Sequence, residues 1–241
     1  WLVQNASLEN ILGQIEKIDG AVSLQNAALK GPLFKPGQWQ FSSSGAVQNF
    51  ELRSAQLPGT LTVARGHFRC AKNRLKVKKL NARVGQSLFS GLNADIQWGK
   101  IVSLTAGAGE SLINLDELSA WIKSHQNLKR HVRDVPVLNG SLAFANLKYE
   151  GPIGAGSNQS LNMSGAIEKW HIRSTKFPTD ITLTGGDLFW RGARIDLQKT
   201  SATFGTSTIS GLSLGKKWGK IPLLELHADS ANMQITELYP W

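Results

Sequence analysis

The residues with the chemistry for catalysis or metal binding are few and widely spaced. The histidines show no metal-ligand spacing, and only His125 and His131 lie near each other; the full set is His67, His125, His131, His171 and His227. Cys70 is the one cysteine, which excludes an internal disulfide and any site built from several cysteines. One Gly-x-Ser-x-Gly pattern occurs, Gly211-Leu-Ser-Leu-Gly215, but it lies in strand-patterned sequence and not at the strand-to-helix turn of a serine hydrolase. The sequence therefore predicts a protein that is not an enzyme and that holds no metal or cofactor.

An enzymatic alternative depends on tryptophan. Trp39, Trp98, Trp170 and Trp190 have the flat surfaces on which an enzyme of envelope polysaccharide would hold sugar rings. Hydrolysis of a glycosidic bond, however, needs a pair of carboxylates flanking that bond. The acidic residues of this chain are few and do not cluster at matched positions. The sequence therefore favours a binding or structural role over this activity.

The chain is basic, with 27 Lys and Arg against 17 Asp and Glu and a formal net charge of +10. Lys72, Arg74, Lys76 and Lys78 occupy alternate positions, so they would share one face of a strand. Such a stripe suits a solvated outer face, anionic lipid head groups or nucleic acid. Because the second half of the chain keeps only Arg194 of it, we expect a solvent face and no nucleic-acid partner.

The elements that position these residues repeat along the chain. Aligning the sequence with itself at an offset of 120 residues, without a gap, gives 30 identical pairs among 120. Ser44-Gly45-Ala46 aligns with Ser164-Gly165-Ala166, and Trp98-Gly99-Lys100-Ile101 aligns with Trp218-Gly219-Lys220-Ile221. About 7 identical pairs would arise by chance, so we infer an internal repeat. We expect two modules, residues 1–121 and 122–241, within a longer repetitive protein, since Trp1, Trp121 and Trp241 share one position of the period.

Each period is patterned as β-structure. Apolar residues alternate with polar ones, and glycine or proline marks the ends of the runs. The pattern predicts about six strands in the first period, near residues 18–30, 38–54, 59–69, 72–84, 87–98 and 101–111. A helix is predicted from Leu115 to Ile122 with Asn114 as its N-cap, followed by a basic connector over 123–135. The predicted fold class is all-β with minor α, a long antiparallel sheet curved into an open groove.

The apolar face of this sheet is the candidate binding surface. Its members alternate along the strands and mostly keep their apolar character across the period. In the first period they are Val22, Leu24, Phe50, Leu52, Leu61, Val63, Leu75, Val77, Val84 and Ile96, and in the second Leu142, Phe144, Trp170, Ile172, Ile181, Leu183, Ile195, Leu197 and Phe204. A closed sandwich core would show the same pattern as an open groove that binds acyl chains. Long consecutive strands and modules stacked in phase favour the groove.

The repeated motifs resemble a known family. Residues 138–147, Leu-Asn-Gly-Ser-Leu-Ala-Phe-Ala-Asn-Leu, are similar to the glycine-containing strands of bacterial AsmA-like proteins. Ser90-Gly91-Leu92 and its repeat Ser210-Gly211-Leu212 are similar to the same pattern. The segments 113–118 and 233–238 resemble the strand-to-helix exit of that family.

This resemblance implies a concrete function. Proteins of that family are anchored in the inner membrane, extend through the periplasm and carry phospholipids toward the outer membrane along an apolar β-groove. By that analogy the candidate residues would line the groove, the partners would be phospholipid acyl chains, and membrane proteins would meet the ends of the parent protein. The alternative is a structural or adhesive β-repeat protein of the cell envelope with two closed cores joined at 122–137.

Overall fold

A computed structural model describes residues 13–35, 39–99, 101–125, 129, 133–152, 160–175, 177–219 and 221–238. Of these residues, 69% lie in strands and 7% in helices, which confirms the all-β class with minor helix. The first repeat contains β1 (Ile15–Lys30), β2 (Gln40–Ser54), β3 (Leu61–Ala71), β4 (Arg74–Val84), β5 (Ser87–Gln97), β6 (Ser103–Ala108), β7 (Ser111–Asn114) and helix α1 (Leu115–Ser124). The second contains β8 (Val137–Pro152), β9 (Ser160–Arg173), β10 (Ile181–Thr184), β11 (Asp187–Arg191), β12 (Arg194–Phe204), β13 (Ser207–Lys217), β14 (Leu223–His227), β15 (Ser230–Asn232) and helix α2 (Ile235–Leu238).

The chain forms two compact units that interlock in sequence. Unit 1 comprises Trp1–Glu110 with Leu147–Ser160, and unit 2 comprises Ser111–Asn146 with Leu161–Trp241. In unit 1 the antiparallel order is β1, β2, β3, β4, β5, β6 and the second half of β8. In unit 2, β7 pairs with the first half of β8. The remaining order in unit 2 is β8, β9, the pair β10 and β11, β12, β13, and the pair β14 and β15.

The repeat found in the sequence is present in the backbone. Leu61 pairs with Val84 in the first repeat, and their counterparts Ile181 and Phe204 pair in the second. Positive φ angles also recur at the same offset, at Gly20 and Gly140 (125° and 126°), Lys79 and Lys199 (50° and 54°), Gly85 and Gly205 (both 58°), and Gly91 and Gly211 (62° and 63°). Residues that the offset of 120 aligns, such as Gly85 and Gly205, thus have the same backbone conformation.

A shift of register within the strands keeps the apolar residues on one face. Between Val77 and Ala82 the pairing of β4 with β5 is irregular, and Lys79 has φ 50°. An extra residue of this kind moves the following side chains to the other face. Val77 and Leu80 therefore pack in the same cluster, although they are three residues apart.

Two glycines split one strand in the second repeat. β3 is continuous in the first repeat, whereas β10 and β11 are separated by Gly185 and Gly186, with φ 66° and 107°. Both values lie in the left-handed region that glycine enters without steric cost. β10 and β11 each pair with both β9 and β12, so together they occupy the position of a single strand between those two.

Helix α1 was correctly predicted, and its start follows from its cap. The side chain of Asn114 accepts a hydrogen bond from Glu117 N at 3.0 Å, which satisfies one free amide of the first turn. Asp116 and Glu117 carry negative charge at the positive end of the helix. The Asp116 carboxylate also accepts from Gly140 N at 3.2 Å and so fastens the helix to β8.

Candidate apolar binding face

In unit 1 the strand register brings the candidate residues together in rows. Leu52, Leu61 and Val84 lie directly opposite one another on β2, β3 and β4. Leu75 and Ile96 form a second row, which extends from Cys70 on β3 to Leu104 on β6. Directly opposed residues of antiparallel strands project from the same face of the sheet. The rows therefore make one apolar surface, which we call the unit 1 face.

The unit 1 face is only partly buried. Val63, Leu80 and Ala82 form its buried centre, and six partly buried residues pack around them, Val47, Phe50, Leu61, Val77, Phe89 and Leu92. The side chains on β1 are open to solvent, with Val22 57% and Leu24 54% exposed against 3% for Val63. The face thus offers contiguous apolar surface beside a small packed centre, and its β1 side is exposed.

In unit 2 the same face is a packed core. Leu142, Phe144, Leu183 and Leu197 belong to a cluster of nine buried residues, and Trp170, Ile172, Ile181 and Ile195 pack against it. Phe204 is also buried. Leu115 of α1 is a member of this cluster and Leu118 packs on it, so the helix covers part of the sheet. The second-repeat candidates are therefore brought together, but under a cover that the described part of unit 1 does not have.

Some residues of the two faces were missed by the sequence analysis. In unit 1 they include Leu80, Phe89 and Leu92, and in unit 2 Leu188 and Leu212. Most of them follow the register shift or the Gly185–Gly186 interruption, where strict alternation in sequence no longer marks one face. The internal repeat was the usable signal, because Leu92 and Leu212 are identical at the offset of 120.

One position of the apolar face is basic in the second repeat. Lys216 lies opposite Ile195 on β12 and Leu224 on β14, in the place that Ile96 has in the first repeat. Its ammonium group sits 5.1 Å from the ring centroid of Trp218, a cation–π contact. The Trp218 ring in turn stacks with Trp190 at a centroid distance of 6.1 Å. This end of the unit 2 face is therefore amphipathic.

The opposite face of unit 1 is polar and carries the basic stripe. Arg74 donates from Nε to Asp95 Oδ1 at 2.7 Å, and the Lys76 ammonium lies 3.6 Å from the same carboxylate. The hydrogen bond from Arg74 holds the pKa of the Asp95 carboxyl below its ordinary value. Lys78 is exposed on the same strand, whereas Lys72 is exposed in the turn before β4 and does not share the strand face predicted for it. The expectation that the stripe faces solvent is confirmed, and part of its charge is neutralised by Asp95.

The tryptophans proposed as sugar platforms are divided between the two units. Trp39 donates from Nε1 to Pro32 O at 2.6 Å in unit 1, where Trp98 also lies. Trp170 donates to Ser141 O and packs on the unit 2 core, and Trp190 donates to Gly192 O. Three of the four indole N–H groups thus donate to nearby backbone carbonyls, which holds these rings in place.

The described residues hold no group of three His, Cys, Asp or Glu side chains arranged for a metal ion. Burial raises the pKa of the Cys70 thiol, which disfavours the reactive thiolate. His171 lies 3.1 Å from Asp180, which Arg173 also binds with two hydrogen bonds of 2.9 Å. Neither helix of the described chain is both long and apolar enough to cross a bilayer.

No protein-family model, curated protein or solved structure matches the chain.

Proposed function

We propose that this chain is a module of a bridge-like protein that conducts phospholipids between two membranes along its apolar sheet face. The observation that carries the proposal is the unit 1 face, whose aligned rows of apolar side chains remain partly open to solvent. Burying apolar surface is worth roughly 25 cal/mol per Å², so an acyl chain laid across these rows would be held without a dedicated polar site.

The unit 1 face suits both parts of a phospholipid. An acyl chain needs contact with apolar side chains, which the rows from Leu52 to Val84 and from Leu75 to Ile96 supply. A head group needs water or charge, and the open side of the same face leaves it in solvent. By resemblance to AsmA-like proteins, the module would act in the periplasm within a parent protein anchored in the inner membrane.

A structural role is the second candidate, and the packing of unit 2 favours it. Nine buried residues, with helix α1 packed over part of them, make that face a closed core. A β-repeat protein of the envelope that only bears load would need nothing more. The two candidate functions therefore differ in one expectation: the lipid conduit requires phospholipid bound to the unit 1 face, whereas the structural role requires no ligand there.

Lipid binding is tested on the purified chain with a matched pair of charge substitutions. Ile96 is a partly exposed member of the unit 1 face, and Gln97 is the exposed next residue on the other face. We expect phospholipid in organic extracts of the unmutated chain and saturable binding of a fluorescent phospholipid. Ile96→Arg should weaken that binding at least tenfold, because its charge faces the acyl chain, whereas Gln97→Arg should leave it unchanged.

The design separates loss of binding from loss of folding. Arg at position 96 has a long stem that reaches solvent from a half-exposed site, so both variants should melt near the unmutated temperature. Absence of phospholipid from the extract together with no saturable binding would contradict the conduit and leave the structural role.

A further inference from the structure

Two edges of the sheet have no neighbouring strand among the described residues. β1 pairs only with β2, and β14 and β15 pair only with β13. Both edges carry exposed apolar side chains, Ile18, Val22, Leu24 and Leu29 on β1 and Leu223, Leu224 and Leu226 on β14. Unpaired backbone groups beside exposed apolar residues are a template for pairing with another chain.

The strands of the first repeat that are equivalent to β14 and β15 do have a neighbouring strand. β6, the counterpart of β14, pairs with β8 from Ser103 opposite Pro152 to Ala108 opposite Leu147. β7, the counterpart of β15 and the residues after it, pairs with β8 from Ser111 opposite Phe144 to Asn114 opposite Ser141. The strand that fills the edge is thus β8, the first strand of a repeat.

β1 has the backbone form of β8. Each has 16 residues, and Gly20 and Gly140 share φ angles of 125° and 126°. Each approaches its next strand equally closely, because a Cβ on Gly45 would meet Ser23 O and one on Gly165 would meet Ala143 O. The strand that the β14–β15 edge is built to receive is therefore present on the other edge of the same chain.

The exposed residues on the two edges have buried counterparts in unit 2. Val22 is 57% exposed, whereas its counterpart Leu142 is 4% exposed in the core that also holds Leu115 of α1. Ile235 of α2 is 80% exposed, whereas its counterpart Leu115 is 5% exposed. The counterparts of Val22 and Ile235, Leu142 and Leu115, are thus buried in one cluster, whereas Val22 and Ile235 themselves are exposed.

We propose that β1 of one copy of this chain adds to the β14–β15 edge of a second copy, head to tail, with α2 covering Val22 and Leu24. The offset of 120 residues transfers the pairing of β6 and β7 with β8 to this joint. It sets Leu226 opposite Leu29, Ala231 opposite Leu24 and Met233 opposite Val22.

Charge agrees with this register. Glu225 falls opposite Lys30 of the next copy, where the first repeat has Thr105 opposite Glu150. Opposite charges on directly facing positions favour an antiparallel pair. Because each copy offers two different edges, the contact is heterologous and a dimer still carries one free edge of each kind, so assembly should continue past the dimer. The joint would cover Val22 and Leu24 on the β1 side of the unit 1 face, but it does not involve the rows from Leu52 to Val84 and from Leu75 to Ile96.

A complementation experiment tests the joint. Val22→Asp places a charge in the contact through β1 and leaves the β14–β15 edge intact, whereas Ile235→Asp does the reverse. Both residues are exposed in the single copy, so neither change should disturb its folding. By sedimentation velocity at rising concentration, we expect dimers and longer species for the unmutated chain and loss of all species larger than monomer for each variant alone.

Mixing the two variants gives the decisive result. Each supplies the edge that the other lacks, so an equimolar mixture should form a dimer and stop there. Ile101→Asp, also at an exposed apolar residue but outside the joint, should assemble like the unmutated chain. Monomer at every concentration, assembly that survives Val22→Asp, or a mixture that stays monomeric would each overturn the proposal.

The register has its own test. In a Cys70→Ser background, Ser23→Cys on one copy and Asn232→Cys on another occupy counterparts of Ala143 and Leu112, which are directly opposed. Directly opposed strand positions lie within the Cα distance that a disulfide spans. We expect a disulfide between these copies on oxidation and none when Leu224→Cys replaces Asn232→Cys. The reverse preference would overturn the register.

Discussion

At the scale of the residue, two apolar side chains of the same alternating pattern lie in different environments. Leu183 lies in a cluster of nine buried residues, whereas Ile96 borders solvent at the end of a strand. Both belong to the alternating pattern from which the binding face was predicted. Whether such a residue belongs to a packed core or to an open binding surface depends on how many strands and helices pack over it. The alternation of the sequence carries no information on that number.

Leu183→Arg should therefore unfold unit 2 rather than merely alter its surface. Leu183 is 8% exposed, so the charge would be buried without a partner in the space of a leucine. We expect the free energy of unfolding to fall by about 3–5 kcal/mol in urea denaturation. Thr184→Arg, at the exposed next residue, should change it by less than about 0.5 kcal/mol. Equal small effects would mean that the unit 2 face is open.

Alternation predicted most of the face but could not locate the shifts of register. Within each half of β4 the alternation is correct: it places Leu75 and Val77 on the apolar face before the register shift, and Ala82 and Val84 on that face after it. Strict alternation from Val77 would put Lys79 inside, and the left-handed conformation of Lys79 turns Leu80 inward instead. A lysine carries no local signal for that conformation, unlike Gly91 or Gly211.

At the scale of the element, the short helix α2 is held by one carboxylate. Glu237 Oε1 accepts from Thr206 N at 2.7 Å and from Thr206 Oγ1 at 2.9 Å, and Oε2 accepts from Ser207 N at 3.1 Å. Hydrogen bonds from the Ser207 hydroxyl and from Thr206 hold the pKa of the Glu237 carboxyl below its ordinary value. The ionised form thus ties α2 to the turn between β12 and β13.

The attachment of α2 should depend on pH. The pKa of Glu237 is lower in the folded chain than in the unfolded one, where it is about 4.3, so the carboxylate stabilises the fold above that pH. This stabilisation is lost as pH falls through the folded-state value. We expect the amide chemical shifts of Thr206 and Ser207 to titrate below pH 4.3, and Glu237→Gln to abolish that titration.

Glu168→Gln is the control for this clamp, because Glu168 accepts from Ser141 Oγ and not from the turn. It should leave the Thr206 and Ser207 shifts as they are. If those shifts were still to titrate in Glu237→Gln, another acid would hold the turn.

Element boundaries show where sequence patterns are sufficient. The six strands predicted for the first repeat lie within a few residues of β1 to β6, and the Asn114 cap fixes the start of α1. β7 was missed because its four residues run into the helix with no turn between them. Part of the predicted connector, together with Trp1 and Trp241, lies outside the described residues.

At the scale of the whole molecule, the repeats share a backbone but not an environment. A Cβ at Gly45 would lie 2.1 Å from Ser23 O, and one at Gly165 would lie 2.4 Å from Ala143 O. Each substitution would push the preceding strand away. β1 has a neighbour on one side among the described residues, whereas β8 is paired on both sides and carries the buried Leu142.

Gly165→Ala should consequently cost more than Gly45→Ala. At low protein concentration we expect a loss of about 2–3 kcal/mol for the former and about 1 kcal/mol for the latter, measured by urea denaturation. The reason is that β1 can move outward while β8 cannot. Gly99→Ala, where a Cβ meets nothing within 4 Å, should be neutral. Equal costs at Gly45 and Gly165 would show that β1 is held as firmly as β8.

The number of strand positions per repeat governs how such a protein can change in length. Unit 1 is antiparallel from β1 through β6 to β8, so six positions precede β8 and it runs in the same direction as β1. Gaining or losing one strand would reverse every strand that follows and direct the closing helix to the wrong end. Gaining or losing a hairpin would not. We therefore expect insertions and deletions in such a protein to add or remove strands in pairs. Duplication of a whole repeat would keep the direction of every strand that follows it.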